Sequence, residues 1–181
     1  GGGLTEYDRS TNKFYQYWNK QRDSTSISDN RVQFLYQDER HNIWIGAYGK
    51  LNKLVRQNNL PLSPHGRAAF VRYGNNPKDP KSISAGGVQR VRNDEKGNLW
   101  VTTGGSVDKL DRETGEFIHF KTDPLLPEAL EEKRIYNIQA DRVGSLWFST
   151  SDGLYNYHPR SGALRHFVHD STDGNSLTSN E

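Results

Sequence analysis

Residues 98–102 read Asn98-Leu99-Trp100-Val101-Thr102, and two other parts of the chain repeat this pattern. The earlier copy reads Asn42-Ile43-Trp44-Ile45-Gly46, and the later copy reads Ser145-Leu146-Trp147-Phe148-Ser149. An aspartate lies six residues before each tryptophan, at Asp38, Asp94 and Asp141. Because the tryptophans are 56 and 47 residues apart, the pattern indicates an internal structural repeat of about that length.

Two further landmarks repeat at the same spacings. Aromatic residues close the units at Tyr17, Tyr73, Phe120 and Phe167. A Ser-Ile-Ser-like element follows each of them, at residues 26–28, 82–84, 129–131 and 176–178. The one longer period contains an insertion at residues 57–66, which includes the Pro-, Ser- and Gly-containing composition of a loop.

Each unit divides into four short apolar runs, with Pro and Gly between the runs rather than inside them. In the last unit the runs are residues 135–140, 145–150, 153–157 and 163–167. Four strands in a repeat of this length are typical of a β-propeller blade. We therefore predict an all-β fold, a β-propeller fragment of about three and a half four-stranded antiparallel blades.

The repeated aspartates and tryptophans are predicted to have structural roles. Each tryptophan is expected to pack between neighbouring sheets. Each aspartate is expected to close a turn by accepting hydrogen bonds from backbone N–H groups two or three residues on, where Gly tolerates a positive φ. His41 replaces that glycine in the first complete unit, which predicts a strained or differently shaped turn there.

The repeat also predicts the domain boundaries. Residues 1–30 form an outer half-blade and a linker, and residues 31–86 form a blade that carries the insertion 57–66. Residues 87–133 form the next blade, and residues 134–181 form a blade and the linker to another. Since propellers have four to eight blades, we expect the remaining blades of the same parent ring to be partners of this chain.

The composition excludes several functions. The 181 residues carry a net charge of +2, and the basic residues are spread along the chain, which argues against nucleic acid as a partner. There is no cysteine, so disulfides and thiolate metal sites are excluded. We predict no cofactor, no metal site and no catalytic residues, because neither a nucleophile elbow nor a phosphate-binding glycine loop is present.

The stretch from Val88 to Thr103 resembles the two-component regulator propeller repeat, whose pattern is roughly V-x-x-I-x-x-D-x-x-G-x-L-W-I-G-T. Residues 2–8 and 153–157 resemble its following part, so the resemblance covers nearly the whole chain. It implies the periplasmic sensor region of a bacterial hybrid two-component histidine kinase or diguanylate cyclase protein. Such a parent protein is anchored in the inner membrane and responds to a saccharide or related polymer, and a homodimer of it is left open.

Four loop residues are candidates for ligand binding: Arg31, Tyr48, Arg134 and Asp152. They lie in loops that enter the inner strands or join the second and third strands, which share one face of a propeller. An arginine can clamp a carboxylate or sulfate, and a tyrosine can stack on a sugar ring. The alternative is that these are solvated loop residues or members of ion pairs in the central channel. Two other functions stay open, a protein-interaction scaffold and a polysaccharide lyase or hydrolase.

Overall fold

The computed structural model describes residues 2–56, 68–94, 96–104, 106–119, 128–130 and 133–180, so the predicted insertion at residues 57–66 lies outside the described residues. Within those ranges the regular structure consists of fourteen strands and one 3₁₀ turn at Glu128–Leu130. The strands are β1 (Leu4–Asp8), β2 (Lys13–Tyr17), β3 (Val32–Gln37), β4 (Ile43–Ala47), β5 (Lys50–Arg56), β6 (Ala68–Tyr73), β7 (Val88–Asn93), β8 (Leu99–Thr103), β9 (Val107–Leu110), β10 (Phe117–His119), β11 (Ile135–Ala140), β12 (Leu146–Thr150), β13 (Gly153–His158) and β14 (Ala163–Phe167).

The chain divides into two compact units, Gly1–Gly74 and Asn75–Glu181. The first unit contains a two-stranded sheet, β1-β2, and a four-stranded sheet in the order β3-β4-β5-β6. Its core includes Tyr17, Ile45 and Phe70, so side chains of both sheets meet in one apolar cluster. Every strand pair in these sheets is antiparallel, which is the arrangement expected of an outer half-blade followed by a complete blade.

The second unit contains two four-stranded antiparallel sheets, β7-β8-β9-β10 and β11-β12-β13-β14. Trp100 of the first sheet packs in one cluster with Ile138, Leu146 and Phe148 of the second sheet. The repeated tryptophan therefore lies between neighbouring sheets in this unit, as predicted. Trp147 is only partly buried and stacks on Phe167, with 5.7 Å between the ring centroids.

A β-bulge recurs at the same place in each four-stranded sheet. The register between the first and second strands shifts between Val32 and Phe34, between Val88 and Arg90, and between Ile135 and Asn137. These positions are related by the repeat spacings of 56 and 47 residues. Because a bulge bends the strand that carries it, the first strand of each four-stranded sheet is bent at the equivalent position.

The first three Ser-Ile-Ser-like elements each bury one aliphatic side chain, whereas Leu177 of the fourth element is only partly buried. Ile27 and Ile83 are almost fully buried, and so is Leu130 at the equivalent position. Burial of such a side chain contributes about 1.5–3 kcal/mol to stability. The elements therefore anchor the segments that lead into the inner strands β3, β7 and β11.

The aspartate of each repeat closes the turn between the first two strands. In the second complete blade, Asp94 Oδ1 accepts hydrogen bonds from the backbone N–H groups of Lys96 and Asn98, both at 2.9 Å. The N–H of Gly97 donates instead to the backbone carbonyl of Asp94, at 3.1 Å. The carboxylate thus binds the amides two and four residues on, rather than two or three.

The second carboxylate oxygen accepts a hydrogen bond that the sequence did not predict. The indole Nε1–H of Trp44 donates to Asp38 Oδ2 at 2.8 Å, and Trp100 and Trp147 make the same bond to their aspartates at 2.9 Å. The bond to Trp147 is the main cause of a lowered pKa of Asp141. Each aspartate therefore ties its turn to the aromatic residue that packs against the neighbouring side chains.

The turn at His41 has the same shape as the turns that contain glycine. His41 has a φ of 62°, while Gly97 and Gly144 have φ values of 77° and 85°. Its backbone N–H donates to the carbonyl of Asp38 at 3.0 Å, as the glycines do in their own turns. The predicted difference in shape is wrong, and a non-glycine residue instead occupies the left-handed region, which is a strained conformation.

Candidate functional site

Arg31 and Tyr48 are brought together in the first unit. The guanidinium carbon of Arg31 lies 3.4 Å from the centroid of the Tyr48 ring, which is a cation–π contact. The backbone N–H of Tyr48 also donates to the carbonyl of Arg31, at 3.2 Å. Because Tyr48 remains 58% exposed, the pair presents an aromatic surface to solvent with a cation behind it.

The guanidinium fork of Arg31 is already engaged. Its Nε and Nη2 atoms donate to the two carboxylate oxygens of Asp29, at 3.0 and 3.1 Å. This pairing lowers the pKa of Asp29 and raises that of Arg31. Arg31 therefore holds the Tyr48 ring in place and does not offer this edge of its fork to a ligand carboxylate.

Asp152 lies in a polar cluster of the second unit. Its Oδ2 accepts from Lys133 Nζ at 2.7 Å and from the Tyr155 hydroxyl at 3.3 Å. The Tyr155 ring stacks on the imidazole of His166, with 4.0 Å between centroids and 9° between planes. The hydrogen bond and charge of Lys133 lower the pKa of Asp152, while burial raises the pKa of Tyr155.

Arg134 does not pair with Asp152 in the described contacts. Its backbone N–H donates to the Ser151 hydroxyl at 3.3 Å, and its carbonyl accepts from the Ser151 N–H at 3.0 Å. Lys133 supplies the cation beside Asp152 instead. The ligand-binding roles of Arg31, Tyr48, Arg134 and Asp152 stay predictions.

A third cluster was missed by the sequence interpretation. The fully buried Asp108 of β9 pairs across the sheet with His119 of β10. The backbone N–H and the hydroxyl of Ser84 donate to its two carboxylate oxygens, both at 2.7 Å. His119 Nδ1 lies 2.8 Å from Asp108 Oδ1, and its Nε2 lies 2.7 Å from the Pro80 carbonyl oxygen.

This cluster contains serine, histidine and aspartate but is not arranged for nucleophilic catalysis. In a catalytic triad the serine and the aspartate contact opposite ring nitrogens of the histidine. Here Ser84 Oγ and Asp108 Oδ1 both lie next to Nδ1 of His119, at 3.0 and 2.8 Å. Because Nε2 faces a backbone carbonyl, the histidine has no free nitrogen with which to take a proton from the serine.

A recurring position in the repeat could have predicted this cluster. His119 follows Arg72 by 47 residues, and His166 follows His119 by the same distance. Each faces a variable partner on the neighbouring strand: Asn52 in β5, Asp108 in β9 and Tyr155 in β13. The residues of this polar cross-strand pair differ from blade to blade, although the residues around it recur. Such a difference indicates a contact that is particular to one blade.

A cavity of about 530 Å³ lies beside His119 in the second unit. Its wall is formed by the segment leading into β7, including Asn75, Asp79 and Ser84, together with Ser106 of the following loop. Its lining combines hydroxyls, amides, the Asp79 carboxylate and the His119 imidazole with the apolar side chains of Pro77, Pro80 and Ala85.

Within the described part of the chain, no group of three or more histidine or acidic side chains is placed to hold a metal ion. His166 and His169 contact the backbone carbonyls of Asp152 and Leu177, both at 2.6 Å. The described residues include no helix whose length and hydropathy would let it span a bilayer.

Comparison with known proteins supports the repeat assignment. Residues 26–49 match the family model described as two component regulator propeller. The matched stretch includes Arg31, Asp38, Trp44 and Tyr48. The comparison with curated proteins gives no match.

Solved structures share the fold. The extracellular domain of a proposed hybrid two component system, BT3049 from B. thetaiotaomicron, is 26% identical, with a TM-score of 0.67; the alignment covers 93% of this chain and 22% of that one. The extracellular domain of BT4673 from the same organism is 23% identical, with a TM-score of 0.66, over 99% of this chain and 21% of that one. This chain therefore spans about a fifth of the length of these structures.

An enzyme has a similar fold at lower identity. An inactive form of virginiamycin B lyase from Staphylococcus aureus, with quinupristin, is 14% identical with a TM-score of 0.54, over 90% of this chain and 47% of that one. At this identity the likeness concerns the fold alone.

Together, the sheets and these similarities define a chain of β-propeller blades. The predicted all-β propeller fold is confirmed. Residues 26–49 match the two component regulator propeller repeat that the sequence resembles, and the chain as a whole is similar to extracellular domains of two-component systems.

Proposed function

We propose that this chain is part of the extracytoplasmic ligand-sensing propeller of a bacterial two-component-type signalling protein, in the periplasm and without enzymatic activity of its own. The observation that carries the proposal is the family match at residues 26–49, in a chain that resembles the extracellular domain of a proposed hybrid two component system. The geometry of the Ser84–Asp108–His119 cluster supports the non-enzymatic part, because it provides no activated nucleophile.

The proposed ligand is a saccharide or a related polymer. Tyr48 supports this proposal because its exposed ring is held by Arg31, which reduces the conformational entropy that a ligand would have to overcome. An aromatic ring of this kind can stack on the apolar face of a sugar, and the nearby Asp29–Arg31 pair offers polar groups to its hydroxyls.

A ligand can change the output of such a sensor only if it binds two conformational states with different affinities. The proposed ligand would therefore favour one packing of the propeller against its neighbouring domains. This coupling would pass the binding event to a kinase or cyclase domain of the parent protein.

The test is a binding screen of the parent protein's extracytoplasmic region against an oligosaccharide library, followed by calorimetric titration of the tightest ligand. We expect Tyr48→Ala to weaken binding about tenfold, the equivalent of about 1.4 kcal/mol. Tyr7→Ala is the matched control, since Tyr7 is also a half-exposed tyrosine but stacks on Phe14 rather than on a cation.

Three results would contradict the proposal. The library could contain no ligand for the intact region, or Tyr48→Ala could bind the ligand as tightly as the unmodified protein. Hydrolase or lyase activity towards the bound saccharide would overturn the non-enzymatic assignment and favour the polysaccharide-cleaving alternative.

A further inference from the structure

His119 has an acceptor at each of its two ring nitrogens. Nδ1 lies 2.8 Å from a carboxylate oxygen of Asp108, and Nε2 lies 2.7 Å from the carbonyl oxygen of Pro80. Neither a carboxylate nor a carbonyl can donate a hydrogen bond, so both contacts are satisfied only when both nitrogens carry a proton. The geometry therefore describes His119 as an imidazolium.

Loss of one proton would leave the cluster short of donors. With the remaining proton on Nε2, the lone pair of Nδ1 would face the Asp108 carboxylate at 2.8 Å, and the Ser84 hydroxyl would have to serve both groups. With the proton on Nδ1, the bond to Pro80 would be lost. Either way a fully buried carboxylate or the Pro80 carbonyl loses a partner, which is costly.

The groups that this proton connects belong to two different elements. Asp108 and His119 lie on β9 and β10, whereas Pro80 and Ser84 lie on the segment of residues 75–85, which we call the entry linker. The entry linker also forms most of the wall of the 530 Å³ cavity. The hydrogen bonds of His119 and Asp108 thus fasten the cavity wall to the sheet.

We propose that the imidazolium of His119 is a proton-controlled clasp that fastens the entry linker to β9 and β10, and that the clasp opens when His119 loses its proton. The cavity wall would then be held at low pH and released at higher pH. This device does not depend on the identity of the sensor's ligand, so it can be tested and rejected independently of the proposed function.

The charged surroundings set the direction of the pH dependence. Burial lowers the pKa of His119, but its hydrogen bond to Asp108, the charge of Asp108 and the contact with Pro80 together raise it above 6.5. Among the described neighbours, Asp79 lines the same cavity and Lys81 pairs with Glu116 at 2.9 Å. Since the folded-state pKa is raised, the clasp contributes fully below pH 6.5 and is lost as the pH rises through the folded-state value.

The first unit contains a natural control that cannot titrate in this range. Arg72 occupies the position equivalent to His119, and its guanidinium donates to the backbone carbonyls of Asp23 and Ser26, both at 2.6 Å. Its cross-strand partner is Asn52, which is neutral. Because an arginine stays protonated, the linker that it binds should be insensitive to pH between 6 and 9.

Amide hydrogen exchange of the intact protein tests the clasp without any variant. The Phe117 N–H donates to the Lys81 carbonyl of the entry linker at 2.8 Å, and the equivalent Phe70 N–H donates to Thr25 at 2.7 Å. After correction for the intrinsic exchange rates, we expect the protection of Phe117 to fall about tenfold between about pH 6 and pH 8.5, because the loss of one hydrogen bond of the clasp is worth about that much. The protection of Phe70 should stay constant.

Two variants and one titration complete the test. We expect His119→Arg to keep the protection of Phe117 at both pH values and to abolish its pH dependence, whereas His119→Gln should lower the protection at both. An NMR titration of the His119 ring should give a pKa above 6.5. A pKa of 6.5 or below, or equal pH responses of Phe117 and Phe70 in the intact protein, would overturn the proposal.

Discussion

Replacing His41 by glycine should stabilise the protein. His41 is an exposed residue with a φ of 62°, in a turn whose two equivalents contain glycine at the same place. The hydrogen bonds of the turn come from the backbone and from Asp38, and the His41 side chain is not part of them. His41→Gly therefore removes conformational strain and leaves the contacts of the turn intact.

The expected gain is the difference of two opposing effects. A left-handed conformation costs a residue with a Cβ atom roughly 1–2 kcal/mol. Glycine loses that penalty but adds about 0.4–1 kcal/mol of conformational entropy to the unfolded chain. We therefore expect His41→Gly to raise the free energy of unfolding by about 0.5–1 kcal/mol. By the same two effects, the mirror substitution Gly144→Ala should lower it by about 0.5–1 kcal/mol.

The assay is urea unfolding followed by the summed fluorescence of the four tryptophans, one of which, Trp44, lies beside the turn. His41→Ala is the control, because it removes the imidazole and keeps the Cβ atom in the left-handed region. It should give no stabilisation. If His41→Gly is neutral or destabilising, or if His41→Ala stabilises equally, the backbone strain assigned to this turn is not the cause.

Two further substitutions test the packing of the repeat. Asp94→Asn should lower the free energy of unfolding by about 2–3 kcal/mol, because the NH₂ group of the amide must face either the N–H groups of the turn or the buried Nε1–H of Trp100. The control Asp111→Asn, in an exposed turn, should leave the free energy of unfolding nearly unchanged. Equal urea midpoints for the two variants would contradict this reasoning. Gly46→Ala should cost about 1–3 kcal/mol, since a Cβ atom there would overlap the Phe34 ring. The same substitution should cost clearly less in a Phe34→Leu background, and an unchanged cost in that double-mutant cycle would exclude Phe34 as the obstacle.

Much of the candidate site could be placed from the sequence, but its pairing could not. The repeat spacing put Arg31 in a loop that enters an inner strand, and it put Tyr48 and Asp152 in loops that join second and third strands, where the structure also has them. The repeat spacing could not indicate that the guanidinium of Arg31 would pair with Asp29, or that Asp152 would pair with Lys133 rather than with Arg134. These choices depend on rotamers and distances within a loop, which a repeat pattern does not contain.

The clasp at His119 illustrates a different limit. Ser84, Asp108 and His119 are separated by 24 and 11 residues along the chain, and no short motif joins them. Only the pairing of β9 with β10, with Ser84 of the entry linker beside them, places the carboxylate, the imidazole and the hydroxyl within hydrogen-bonding distance.

The sequence by itself determined the blades. The tryptophans, aspartates and turn residues recur at one offset, and this pattern indicates four antiparallel strands that bury the apolar side chains and pair the backbone groups. The turn at Asp94 follows from hydrogen bonds within five residues of the chain. Only the tertiary structure decided the bond from Trp100 to Asp94 and the meeting of His119 with Asp108 and the Pro80 carbonyl. Those properties arise because folding places groups at fixed distances in a buried environment, where an unpaired donor or acceptor costs far more than it does in water.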